Sequence, residues 1–216
     1  MIRKRLLLSC LAVLMVMGLH AQDQKKTIVP TMFQKNSTAM VHMKDGRTIK
    51  TPNANIFLKD ASLLYYQGTK AKQARMDLIS QVDIEEKVFI NIENRLAYFV
   101  DSIKGNSLYC IETIDLDAFN RNLRNNVNYT QIDLNTDHLD TFTNDMNTEE
   151  DFVYPVVSEY YFLLDGKIVK AHDRELYRVL KKERYRLMKT AMSDPNFSWT
   201  SKDSLMKMLD LISLSR

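Results

Sequence analysis

The chain has 216 residues, of which 26% are charged, with only five Gly and four Pro, a composition that excludes wholesale disorder. Its formal charge of +3 comes from Arg3, Lys4 and Arg5; without them, 27 basic residues stand against 27 acidic ones. The basic balance is therefore no argument for nucleic acid, and no nucleic-acid partner is expected.

Arg3-Lys4-Arg5, an apolar run from Leu6 to Met17 interrupted by Ser9 and Cys10, and Ala21 ahead of polar Gln22 make a cleavable export signal over residues 1–21. A helix that spans a bilayer needs about 20 apolar residues, more than this run supplies, so no transmembrane segment is expected after signal removal. A lipoprotein would carry its Cys at the end of the apolar run, whereas most of the run lies beyond Cys10. Residues 22–37 lack periodicity and form a polar leader.

Residues 38–115 are β-rich. Ala39 to Lys44 and Thr48 to Thr51 flank Asp45-Gly46, a hairpin signal. Further short strands follow at Asn55–Leu58, Ser62–Tyr66 and Lys72–Met76, and the apolar positions Leu78, Ile79, Val82 and Ile84 close the stretch. Val88–Ile92, Leu96–Val100 and Ser107–Ile114 continue the pattern as a β-ribbon. The layout predicts a small barrel or a sandwich.

Residues 116–155 form a polar connection, with one short helix from Leu116 to Leu123. From Asp133 to Asp165 there are nine acidic residues and no Lys or Arg. Residues 156–216 hold a second hairpin, Val156–Leu164 and Lys167–Ala171 about Asp165-Gly166, and then helices. Asp173 is placed to cap the first, which can break near Lys181-Lys182, and Pro195 stops it. Thr200 and Asp203 form a capping pair for the last, whose stripe is Leu205, Met208, Leu209 and Ile212. The fold class is α+β: a β-rich N-terminal part followed by a hairpin and C-terminal helices.

The residues give no catalytic, cofactor or metal motif. After signal removal the His residues are His42, His138 and His172, in no metal-binding spacing. Cys110 is then unpaired and lies in a strand, where it reads as a small core residue rather than a reactive thiol. His138 with Asp133, Asp137 and Asp140 reads as a solvated acidic loop, since the central Gly of a calcium loop is missing. Tyr154, Tyr160, Tyr161, Phe162 and Tyr177 fit either a ligand groove or a core face. The sharpest feature is charge asymmetry. Lys167 to Lys189 holds nine basic and three acidic residues. Arg174, Arg178, Lys182 and Arg186 recur at helical spacing as a candidate contact for an anionic surface, unless the acidic stretch folds over them.

Asp45-Gly46 between two strands resembles the opening of small SH3-like barrels, over residues 38–84. Lys44-Asp45-Gly46-Arg47, Ser62-Leu63-Leu64-Tyr65, Leu96-Ala97-Tyr98-Phe99-Val100-Asp101, Asp165-Gly166-Lys167, Asn196-Phe197-Ser198-Trp199 and Ser204-Leu205 resemble a group of uncharacterised, signal-peptide-bearing exported proteins of Bacteroidota. That resemblance carries no activity. It implies O-glycosylation at an Asp-Ser-aliphatic site, and Ser102 in Asp101-Ser102-Ile103 is a better acceptor than Ser204, which falls in the first turn of a helix. The sequence thus points to an exported, non-catalytic binding or accessory protein of the periplasm or cell surface, its partner an envelope protein or an anionic surface. The alternative is an extracytoplasmic hydrolase with a site assembled from scattered residues.

Overall fold

The computed structural model describes residues 25–125 and 153–214. It is an α+β fold with a single antiparallel sheet of eleven strands, so the sandwich alternative falls away. The strands are β1 (Lys26–Thr27), β2 (Ser37–Met43), β3 (Thr48–Phe57), β4 (Ser62–Gln67), β5 (Lys70–Gln73), β6 (Ile79–Ile84), β7 (Lys87–Ile92), β8 (Arg95–Ile103), β9 (Asn106–Ile114), β10 (Tyr154–Leu164) and β11 (Lys167–Lys170). A 3-10 turn at Met76–Leu78 leads into β6. The helices are α1 (Leu116–Asn125), α2 (Asp173–Val179), α3 (Lys182–Met192) and α4 (Lys202–Ser213). The strand order is β1-β10-β9-β8-β7-β6-β2-β3-β4-β5, with β11 also on β10.

The N-terminal part of the sheet curls into a half-barrel. Its inner face is lined by Val41, Ile56, Leu63, Val82, Phe89 and Leu96, all buried. The tip between β3 and β4 closes the curl. Strands β8 and β9 pair only from Tyr98–Cys110 towards their turn, and they diverge beyond that point. The β3–β4 tip sits in the fork: Leu96 N donates to Ala61 O at 2.8 Å and Ile114 N to Leu58 O at 2.7 Å. Ala61 is fully buried at φ 55°, a left-handed backbone that a small residue tolerates better than a branched one.

Strand β3 is longer than the two short strands expected there. It runs through Pro52 and Asn53, and the register with β2 shifts between Ser37 and Ala39, opposite this point. Pro donates no hydrogen bond to the ladder, and a bulge is where a strand accommodates it. The polar leader also has a fixed place despite its lack of periodicity. Thr31 bridges Phe57, and buried Asn55 accepts from Phe33 N at 3.1 Å and donates to Phe33 O at 2.9 Å. A side-chain amide here does the work of a strand partner, which no hydrophobic pattern announces.

The second hairpin extends the same sheet. One edge of β10 pairs along β9; its other edge takes β1 at Tyr154–Pro155 and β11 at Tyr161–Leu164. Asp165 and Gly166, at φ 48° and 80°, form the tight turn that the Asp-Gly signal predicts. Helices α2–α4 cover the inner face of this half, burying Leu176, Met188, Leu205, Met208, Leu209 and Ile212 against Leu108, Phe162 and Val169. Two caps differ from expectation. His172 rather than Asp173 precedes α2, with Asp173 in its first turn. Ser201 rather than Thr200 caps α4, accepting from Ser204 N at 3.3 Å.

Replacing Leu209, fully buried, with Ala is expected to cost about 2–5 kcal/mol. Urea denaturation checks this; a change within about 0.5 kcal/mol, the range of exposed sites, would place α4 outside the core.

Candidate functional site

Because side chains alternate along a strand, the sheet presents two chemically different faces. On the inner face, between the half-barrel core and the helices, Tyr98, Cys110, Glu112, Ser158 and Tyr160 are neighbours on β8, β9 and β10. Glu112 is only 6% exposed. Lys25 Nζ reaches both its oxygens, at 2.8 and 2.7 Å, and Tyr98 Oη donates to it at 3.0 Å. A buried carboxylate is tolerable only when paired in this way. Lys87 lies 4.4 Å over the Tyr98 ring. Burial pushes the Cys110 thiol up to about 11, and the Glu112 charge adds to this against hydrogen bonds from Tyr98, Ser158 and Tyr160. A thiol so held is neutral at physiological pH and a poor nucleophile. Burial likewise pushes Tyr160 up to about 12.

The outer face carries two further networks. Thr48, His42 and Gln81 are directly opposite one another on β3, β2 and β6. His42 Nε2 lies 2.9 Å from Asp83 Oδ2, and Thr48 Oγ1 lies 3.2 Å from His42 Nδ1. A carboxylate only accepts, so Nε2 carries a proton, and in the neutral imidazole Nδ1 accepts from the Thr48 hydroxyl. Gln81 Nε2 holds the other Asp83 oxygen at 2.7 Å. This acid–imidazole–hydroxyl order can move a proton. However, two N–H groups of the adjoining hairpin are already spent: Gly46 N donates to Met43 O and Arg47 N to Asp45, both at 3.1 Å. They are not free to stabilise a developing oxyanion.

At the other end of that face, Arg95 donates to Glu159 at 2.8 Å and to Tyr161 Oη at 2.6 Å, and Lys170 donates to Glu159 at 2.5 Å. Burial works to raise the Glu159 carboxyl, but the hydrogen bonds from Arg95 and Lys170 outweigh it and hold the group below its ordinary value. The network ties β8, β10 and β11 together across β9. Beside it, a depression of about 470 Å³ is lined by Asp60, Gln73, Asp77, Glu93 and Arg95 among others. Asp60 is engaged there by Ser62 Oγ at 2.6 Å and Gln73 Nε2 at 2.5 Å.

The residues expected to meet an anionic surface fall on two helices. Arg174 and Arg178 are on α2; Lys182 and Arg186 are on α3. Leu180 and Lys181 between them have extended backbone, with ψ 136° and 154°, so the four do not form one continuous stripe. Nearby carboxylates neutralise part of the charge. Glu175 takes Arg178, Asp165 takes Arg184, and Asp173 takes Lys189. Arg174, Lys181, Lys182 and Arg186 are exposed and have no carboxylate partner among the described residues. Most of the acidic stretch, with His138, Asp133, Asp137 and Asp140, lies outside the described residues.

Ser102 is exposed at the end of β8, two residues before the β8–β9 turn. Ser204 accepts from Ser198 N at 3.2 Å. The five aromatics do not share a groove. Tyr154 stacks on Phe119 at 4.8 Å, and Phe162 is core. Tyr161 is on the outer face, and only Tyr177 is largely exposed. His172 lies beside Trp199, with ring centroids 6.0 Å apart. Among the described residues no group of three or more His, Cys, Asp or Glu is placed to hold a metal ion, and no helix is long and apolar enough to cross a membrane. Sequence reading missed the His42 and Glu159 networks, because their members meet only through strand register.

Since Glu159 titrates below an unfolded carboxylate, its contribution to stability is full above about pH 4.3 and is lost as pH falls through the lower folded value. Wild type is therefore expected to lose more melting temperature than Glu159→Gln between pH 5 and pH 3, both numbers being approximate settings about that reference. Parallel losses would show that the network carries no acid sensitivity. Comparison with family models, curated proteins and solved structures finds no match to this chain.

Proposed function

We propose that the protein is an exported binding or accessory protein of the cell envelope, non-catalytic in its main role, which rests on an anionic surface through α2 and α3. The observation that carries this is the set of exposed basic residues Arg174, Lys181, Lys182 and Arg186, which lack acidic partners among the described residues while their neighbours Arg178, Arg184 and Lys189 are paired. Exposed ion pairs are ordinary surface chemistry; a residual group of one sign on one pair of helices attracts the opposite sign. The signal-like segment at residues 1–21 supports export, and its cut would leave Lys25 near the new N-terminus to seat on Glu112.

Fractionation of the producing cells tests this reading. The protein is expected in the envelope fraction with its N-terminus at or near Gln22, and raised salt is expected to release it. A cytoplasmic protein that retains Met1 would overturn it.

The hydrolase reading has one observation in its favour, the Thr48–His42–Asp83 order. If it holds, cleavage of a p-nitrophenyl ester by the purified protein falls about a hundredfold or more in Thr48→Val, the threshold being the lower end of general-base effects. Equal rates in wild type and variant would leave the network structural.

A further inference from the structure

We infer that the anionic surface is a lipid bilayer, and that the bend between α2 and α3 seats Tyr177 and Val179 in its interfacial layer. The inference rests on the proposed use of these helices and adds what occupies them. Tyr177 is 65% exposed and Val179 45%. Both lie in the last turn of α2, just before the extended residues Leu180 and Lys181 turn the chain into α3. Tyr177 is held rather than free, its ring meeting that of Tyr185 edge-on at 5.0 Å. Tyr185 is in turn fixed by Asp173, 3.2 Å from its hydroxyl.

Chemistry selects the occupant. Unpaired cations alone would suit any polyanion, a polysaccharide as well as a membrane. An exposed Val gains nothing from a hydrated polysaccharide, but it does gain from the acyl boundary of a bilayer. A Tyr ring suits the interface between hydrocarbon and headgroups, since its body is apolar and its hydroxyl stays wet. Val179 precedes Lys181 by two residues at the bend, Arg174 precedes Tyr177 by one turn on α2, and Arg186 follows Lys182 by one turn on α3; apolar and basic side chains about one bend give the mixed composition of a surface-lying membrane contact. The core on the other side of these helices is already filled by Leu176 and Met188, so the pair is not waiting for another part of the described fold.

One triple variant, one double variant and three probes separate the outcomes. Vesicles of neutral phosphatidylcholine, vesicles with added phosphatidylglycerol, and immobilised heparin are each mixed with the mature protein at low and moderate salt. Binding is expected to phosphatidylglycerol vesicles and not to phosphatidylcholine. Lys181→Gln with Lys182→Gln and Arg186→Gln should weaken vesicle binding by about a hundredfold, at about fivefold per cation, and should weaken heparin retention too. Tyr177→Ser with Val179→Ser should weaken vesicle binding by about tenfold or more and leave heparin retention unchanged. All of these positions are exposed, and far-UV circular dichroism confirms that each variant is folded. Binding to vesicles that ignores the Tyr177 and Val179 changes, or retention on heparin without vesicle binding, overturns the lipid inference while the anionic-surface reading stands. Failure to bind either anionic probe overturns both.

Discussion

The two hydrogen bonds from Leu96 and Ile114 to the β3–β4 tip are the constraint on which the molecule turns. A sheet of this width, left open, twists without closing. Here the tip enters the fork between β8 and β9 and fixes how far the N-terminal strands curl. Once the curl is set, one face of the sheet becomes the half-barrel interior at one end and the seat of the helices at the other. Fully buried Ala61 makes this approach with little bulk. Ile92, Ala97, Ile111 and Tyr161 pack around it as a separate small core.

Between the two larger cores the sheet is polar, and there the packing depends on charge being answered locally. Glu112 is answered by Lys25 and Tyr98; Glu159, on the opposite face and the next strand, by Arg95 and Lys170. Lys25 and Glu112 lie 87 residues apart in sequence and Arg95 and Glu159 lie 64 apart. Removing Lys25 would leave the buried Glu112 carboxylate without its cation in a poorly hydrated place, which is costlier than never having had the pair. Such pairs locate strands relative to each other more than they add net stability. The basic helices follow a different rule: their charge is only partly answered, on a part of the surface that does not hold the fold together.

The sequence made most of the fold legible where local patterns dominate. Asp45-Gly46 and Asp165-Gly166 predicted both hairpins, and the stripe through Leu205, Met208, Leu209 and Ile212 predicted a buried last helix. The break between α2 and α3 also falls where Lys181-Lys182 suggested it. What stayed hidden depended on distance along the chain. Nothing near Ala61 or Leu58 says that their carbonyls meet β8 and β9. The leader looked loose because its anchors are backbone groups and the amide of Asn55, which hydropathy does not register. The turn at Glu93-Asn94 has φ of 52° and 64° without a glycine, so a reading keyed to Gly places it less sharply. For the candidate site, residue types and their helical placement were legible. The split of the basic residues over two helices was legible in part, and the identity of the paired and unpaired cations was not, because ion pairing depends on which carboxylates the fold brings near.

The divided outer edge of β10 bears on how the protein behaves in crowded solution. A bare strand edge is a template on which a foreign strand can grow. Strand β10 has eleven residues, long enough to serve, yet β1 occupies one end and β11 the other, leaving only a few backbone groups about Val157 to Glu159 between them. The far margin of the sheet, β5, is four residues long and displays Lys70 and Lys72, whose charges repel a second copy of the same strand. Among the described residues neither margin offers a long bare run on which misassembly could propagate, and the two ends of this broad sheet are guarded against fibre-like growth by quite different means.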